Sequence, residues 1–127
     1  MISDARAFAD DWLAGWNAHD LDAVLAHFSD DAVFTSPVAR QLLDGSDGVL
    51  RGKAAIREYW EEGLRRIPDL RFEIVDVYAG LDTVVINYRN QRGGLVCEVL
   101  QFDGDLVVAG HGTYRESGDN LAGATRD

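Results

Sequence analysis

Apolar residues recur with the period of a helix at the start of the chain. Phe8, Trp12 and Trp16 lie four apart in "DARAFADDWLAGWNA", with Ala5, Ala9 and Leu13 beside them, which gives one apolar helix face. Asp20 stands where it can cap a short second helix, "LDAVLAHF", whose stripe is Leu21, Val24, Leu25 and Phe28. "DAVFTSP" then alternates as a strand and is stopped by Pro37. Residues 38–50, "VARQLLDGSDGVL", read as a long loop with turn residues at Asp44 to Gly48, placed to gate whatever the strand holds. "GKAAIREYWEEGLRRI" predicts a third helix, with Gly52 at its start, Pro68 at its end, and Ile56, Tyr59, Trp60, Leu64 and Ile67 on its buried side.

Beyond Pro68 the period changes from helix to strand. Strands are predicted near residues 70–79, 82–91, 94–103 and 105–115, separated by short turns bearing Gly and Asp, as in an antiparallel meander. Three helices in front and strands behind predict an α+β domain over residues 1–116, with residues 117–127, "SGDNLAGATRD", as a mobile tail.

One acid interrupts the strand "GLVCEVLQF", and burying Glu98 unpaired would be costly. A two-residue turn at Arg92–Gly93 or Gly93–Gly94 sets Glu98 opposite Asn87 or Arg89. A turn at Asp103–Gly104 or Gly104–Asp105 sets it opposite Ala109 or His111. Either register predicts one face carrying Asn87, Arg89, Glu98 and His111 among Val85, Val96, Leu100, Phe102 and Ala109. Four polar groups on an apolar face predict a site. The other face, with Val84, Ile86, Tyr88, Cys97 and Val99, is apolar enough to predict a homodimer through the sheet.

Composition narrows the function classes. The length of 127 residues suits one core, and a formal net charge of −10 disfavours partners that need a basic surface, nucleic acid and anionic membrane alike. No apolar run approaches the roughly 18–20 residues of a spanning helix. "MISDARAFADDW" has acids where a signal peptide needs a basic segment, so a cytoplasmic setting is expected. The single cysteine, Cys97, reads as a small buried hydrophobe, and His19, His27 and His111 show no metal-ligand spacing, so neither metal nor cofactor is expected.

"WNAHDLDAVLAHFSDDAVFTSPV" followed by "RGKAAIREYW" resembles the start of SnoaL-like and ketosteroid-isomerase-like proteins, of the superfamily typified by nuclear transport factor 2. The resemblance implies a cone: a strongly curved sheet wrapped around a long N-terminal helix, with a pocket at the open end. Its members include isomerases, polyketide cyclases, dehydratases, epoxide hydrolases and non-catalytic binding domains. Read back from "FDGDLVV", Glu98 matches the position of the protonated acid that the isomerases point into the cone. Two matched positions differ in kind: Ser36 stands for the catalytic base and Trp12 for the oxyanion-binding tyrosine, so steroid isomerisation by the known route is not implied.

The expected catalytic set is Glu98, His111 and Arg89. Glu98 either orients His111 as a base or pairs with Arg89, and the arginine is expected to keep it ionised. Expected ligand contacts are Trp12, Trp16, Phe34, Ser36, Tyr59, Trp60, Asn87 and Leu100, the plain alternative being that the aromatics are simply core. The reading is a small-molecule pocket: a cofactor-free isomerase, cyclase or hydratase acting on an apolar carbonyl or polyketide-like compound. The alternative is a non-catalytic domain for hydrophobic-ligand binding or dimerisation.

Overall fold

Asp4 starts α1 (Ala5–Asn17) by accepting the Ala7 N–H at 3.0 Å, and Asp20 starts α2 (Leu21–Leu25) by accepting from Ala23 at 3.1 Å. The structure, a computed structural model, describes residues 4–116, so the expected tail lies outside the described residues. β1 (Phe28–Thr35) follows, then α3 (Pro37–Leu42), β2 (Val49–Arg51) and α4 (Lys53–Arg66). The chain finishes with β3 (Glu73–Ala79), β4 (Thr83–Arg89), β5 (Leu95–Asp103) and β6 (Leu106–Tyr114). The class is α+β, as expected, but with four helices among the described residues instead of three.

The extra helix comes from a stop signal that is also a start signal. Ser36 accepts the Val38 N–H at 3.1 Å and Pro37 occupies the first helical turn, where its missing N–H costs nothing. The expected gating loop is therefore α3, a turn and β2. Val38, Ala39, Leu42 and Leu50 are all buried in the core, so the segment is a wall.

The six strands form one open sheet in the order β2-β1-β6-β5-β4-β3. It is mixed: β1 runs parallel to β6, an arrangement that the long stretch of chain between them permits and a hairpin would not, and the other neighbours are antiparallel. The register shifts within the β1–β6 pairing, and single-residue bulges interrupt β3–β4 and β5–β6, where such insertions bend a strand and increase its twist. α1 and α4 cover one face. Phe8 meets Phe102 edge-on at 5.0 Å between centroids, Trp12 lies 5.2 Å from Tyr88, and Trp60 meets Phe28 edge-on at 5.3 Å.

The register differs from both expected ones. Asn90 N–H bonds to the Gly94 carbonyl at 2.9 Å, leaving the three residues Gln91 to Gly93 as the turn, with Gly93 at φ +80°. A three-residue turn reverses the parity that a two-residue turn would set, so Glu98 lies opposite Ile86. The next turn is at Gly104–Asp105, with Asp103 paired to Leu106, as one expected register had it. A bulge at Val108 then shifts the pairing by one, and Glu98 lies opposite Gly112. The acid therefore shares its face with Val84, Ile86, Tyr88, Val96 and Leu100, which are buried under the helices. Val84, Ile86 and Tyr88 are core residues and not part of an outer dimer face. Asn87, Arg89, Cys97 and His111 are on the outer face.

Asn90 fixes the turn that sets this parity. Its side chain is 5% exposed, and Oδ1 accepts from Arg92 N–H at 3.0 Å and Gly94 N–H at 2.9 Å. Asn90→Ala is expected to lower stability by about 1–3 kcal/mol, read as a lower midpoint in chemical denaturation. An unchanged midpoint would show that the turn holds without this side chain.

Candidate functional site

Between α1, α4 and the covered face of the sheet lies a cavity lined by fifteen residues, eight of them aromatic. α1 supplies Trp12 and Trp16, β1 Phe34, and α4 Tyr59, Trp60, Gly63 and Leu64. α3 adds Val38 and Leu42, the connection after α4 adds Ile67, Leu70 and Phe72, and the sheet adds Tyr88, Glu98 and Tyr114. The empty space is about 550 Å³ when the solvent at its open mouth is counted.

Two side chains hold the segment before β3 against α1. Asn17 donates Nδ2–H to the Phe72 carbonyl at 3.0 Å and accepts the Phe72 N–H on Oδ1 at 2.8 Å. His19, at φ +56° just past the helix, places Nε2 2.8 Å from the Leu70 carbonyl. Together they bring Leu70 and Phe72 to the cavity wall.

Glu98 is the acid of this cavity. It is 5% exposed, and burial alone pushes its carboxyl up to about 8, with no hydrogen bond or cation opposing the shift. At neutral pH it is mainly the protonated acid, a donor. The expected opposition from Arg89 does not arise, because that side chain is exposed on the other face of the sheet.

The residue facing Glu98 across the sheet is Gly112, and hydroxyls occupy the space above it. A Cβ there would sit 3.2 Å from the Tyr114 hydroxyl and 3.6 Å from Ser36 Oγ. Ser36 Oγ lies 3.0 Å from the Tyr59 hydroxyl and 3.4 Å from that of Tyr114. Burial raises the Tyr59 phenol to about 12 and holds those of Tyr88 and Tyr114 well above their ordinary value, so all three stay protonated. The indole Nε1 atoms of Trp12 and Trp16 are buried without a hydrogen-bond partner. The protonated hydroxyls can donate or accept, the two indoles only donate, and among the described residues no Lys, Arg or His lines the cavity.

Five of the expected contacts line the cavity: Trp12, Trp16, Phe34, Tyr59 and Trp60. Ser36 sits behind the lining, bonded to Tyr59, and Leu100 is buried on the same face as Glu98 but packs against the position of Gly110. Asn87, Arg89 and His111 are not brought together with Glu98. His111 instead places Nδ1 2.7 Å from Thr35 Oγ1, its neighbour in β1. Sequence reasoning missed Phe72, Tyr88 and Tyr114. The alternation of β4 would have turned Tyr88 inward once Glu98 was known to oppose Ile86, but only the turn and bulge fix that parity. Among the described residues no group of three or more His, Cys, Asp or Glu could hold a metal, and no helix is long and apolar enough to cross a membrane.

Comparison with known proteins places this geometry. The model of the SnoaL-like domain matches residues 9–115. A SnoaL-like protein of unknown function from Burkholderia thailandensis is 43% identical, with a TM-score of 0.82, covering 90% of this chain and 94% of its own. A nuclear transport factor 2-like protein of unknown function from Burkholderia pseudomallei is 16% identical, with a TM-score of 0.73 and coverage of 89% and 92%. TerC, co-crystallised with polyporic acid, is 15% identical, with a TM-score of 0.72 and coverage of 87% and 90%. The last two share the fold alone. No curated protein matches the chain.

The Glu98 shift has a sign that stability can report. The carboxyl is raised from 4.5 in the unfolded chain to about 8 in the native one, so between those values the native state holds a proton that the unfolded state has released. Its contribution is complete below the lower value and is lost as pH rises through the upper one. Glu98→Gln removes that dependence, so the variant should gain on the wild type by roughly 3–5 kcal/mol between pH 5 and pH 8. Chemical denaturation of both proteins across that range measures it, and parallel profiles would contradict a buried, unpartnered acid.

Proposed function

The chain belongs to the SnoaL-like domain family, and from that premise we propose that it is a small-molecule pocket protein for apolar compounds bearing a carbonyl oxygen. The observation that carries this reading is Glu98, a buried acid with no hydrogen bond, at the wall of an aromatic cavity. As a neutral acid it donates to a ligand oxygen and stabilises negative charge that develops there. The chemistry that fits is enolisation, addition of water or ring closure at such a carbonyl, with Glu98 as the acid. His111 and Arg89 take no part in this version, since the sheet separates them from the cavity. A second reading, ligand binding without turnover, is favoured by one observation: among the described residues no imidazole or second carboxylate lines the cavity to act as a base.

The outer face supports a homodimer through the sheet as a further part of the proposal. A row crosses all six strands there: Val49, Thr35, His111, Val99, Val85 and Tyr78. Tyr78 is 55% exposed, and the row is mostly apolar. Val85→Asp should shift a dimer to a folded monomer in sedimentation. A wild-type monomer would remove the dimer.

Cyclohex-2-enone tests the pocket. Binding should quench or enhance the fluorescence of the three tryptophans, all of which line the cavity. Glu98→Gln and Glu98→Leu should weaken it, the leucine more, by about tenfold or greater for a lost hydrogen bond from the acid. Catalysed exchange of the ketone's α-protons in deuterium oxide, followed by NMR, would identify an enzyme. Binding without exchange would identify a receptor. No binding to the wild type would overturn the proposal.

A further inference from the structure

A buried acid with no positive partner is half of an ion pair, and the walls around Glu98 suit the other half. We propose that the cavity also takes compact organic ammonium ions, held by the Glu98 carboxylate and the surrounding aromatic rings. This adds a second ligand class to the cavity described above and uses the other protonation state of its acid.

Three features point to a cation. Eight of the fifteen lining residues carry aromatic rings, whose electron-rich faces attract positive charge. Among the described residues Glu98 is the only acid in the lining, and no Lys, Arg or His lines the cavity beside it. The chain's net charge of −10 draws cations toward the protein. In the ligand-free protein the proton substitutes for the missing partner, which is why burial lifts the carboxyl to about 8. An entering ammonium ion supplies that partner and releases the proton.

The groups that face Glu98 leave it as the single titrating switch. Tyr88 comes from β4, Tyr114 from β6 and Tyr59 from α4, and burial keeps all three phenols protonated. α1 presents Trp12 and Trp16, and α3 presents Val38 and Leu42, none of which titrates. A carbonyl ligand needs the proton on Glu98, and an ammonium ion needs it gone. The two ligand classes therefore carry opposite pH dependences.

Choline and its uncharged carbon isostere, 3,3-dimethylbutan-1-ol, separate charge from shape, with tryptophan fluorescence of the full chain as the readout. Choline affinity should rise about tenfold per pH unit from pH 6 toward pH 8 and level off above it, while the isostere stays flat. Glu98→Gln should abolish the rise and bind choline at least about tenfold more weakly at pH 9. Choline binding no tighter than the isostere at pH 9, or a rise that persists in Glu98→Gln, would overturn the inference. Cyclohex-2-enone titrated in parallel distinguishes the failures. Ketone binding without choline preference removes the cation alone, and loss of both removes the cavity as a ligand site.

Discussion

Side chains on a strand alternate between faces, so each hairpin beside β5 carries a parity as well as a position. The three-residue turn at Gln91 to Gly93 and the bulge at Val108 set those parities. Together they point Glu98 into the core with Tyr88, Leu100 and Tyr114, and send Asn87, Arg89 and His111 to the outer face. With a two-residue turn and no bulge, the same strands would bury an arginine and a histidine and expose tyrosines and valines. The buried Asn90 side chain, which bonds two backbone N–H groups of the turn, therefore acts on the site from its far end.

That placement explains how a carboxyl is tolerated in an apolar interior. Ionised, it would need a cation or several donors, and none among the described residues reaches it. Protonated, it is a polar but neutral group at the edge of a cavity, beside hydroxyls that the bare backbone of Gly112 makes room for. Ser36 organises those hydroxyls from a position set by a different task, the capping of α3. One serine thus links the start of a helix to the polar end of the site.

The walls are held by contacts between distant parts of the chain. α3 closes one side because Ser36 and Pro37 start a helix where the strand ends. The opposite side depends on Asn17 and His19, which hold the Phe72 and Leu70 backbones 55 and 51 residues away. Neither asparagine nor histidine touches the cavity, yet both position residues that do.

Periodicity alone determined the class and most of the elements. The four-residue spacing of Phe8, Trp12 and Trp16 and the alternation after Pro68 are local, and local preference survives into the fold where it agrees with burial. The same periodicity placed the aromatics of α1 and α4 on buried faces, while the expectation of a pocket beside them came from the resemblance. The partner strand of β1, the helix hidden in residues 37–42 and the face of every residue on β4 and β6 relative to Glu98 were decided elsewhere. A strand's period is two, so one extra residue in a turn or a bulge inverts the face while leaving the pattern of each strand intact. The sequence therefore identified Glu98 as the residue that needs an explanation, and the tertiary structure alone decided which groups surround it.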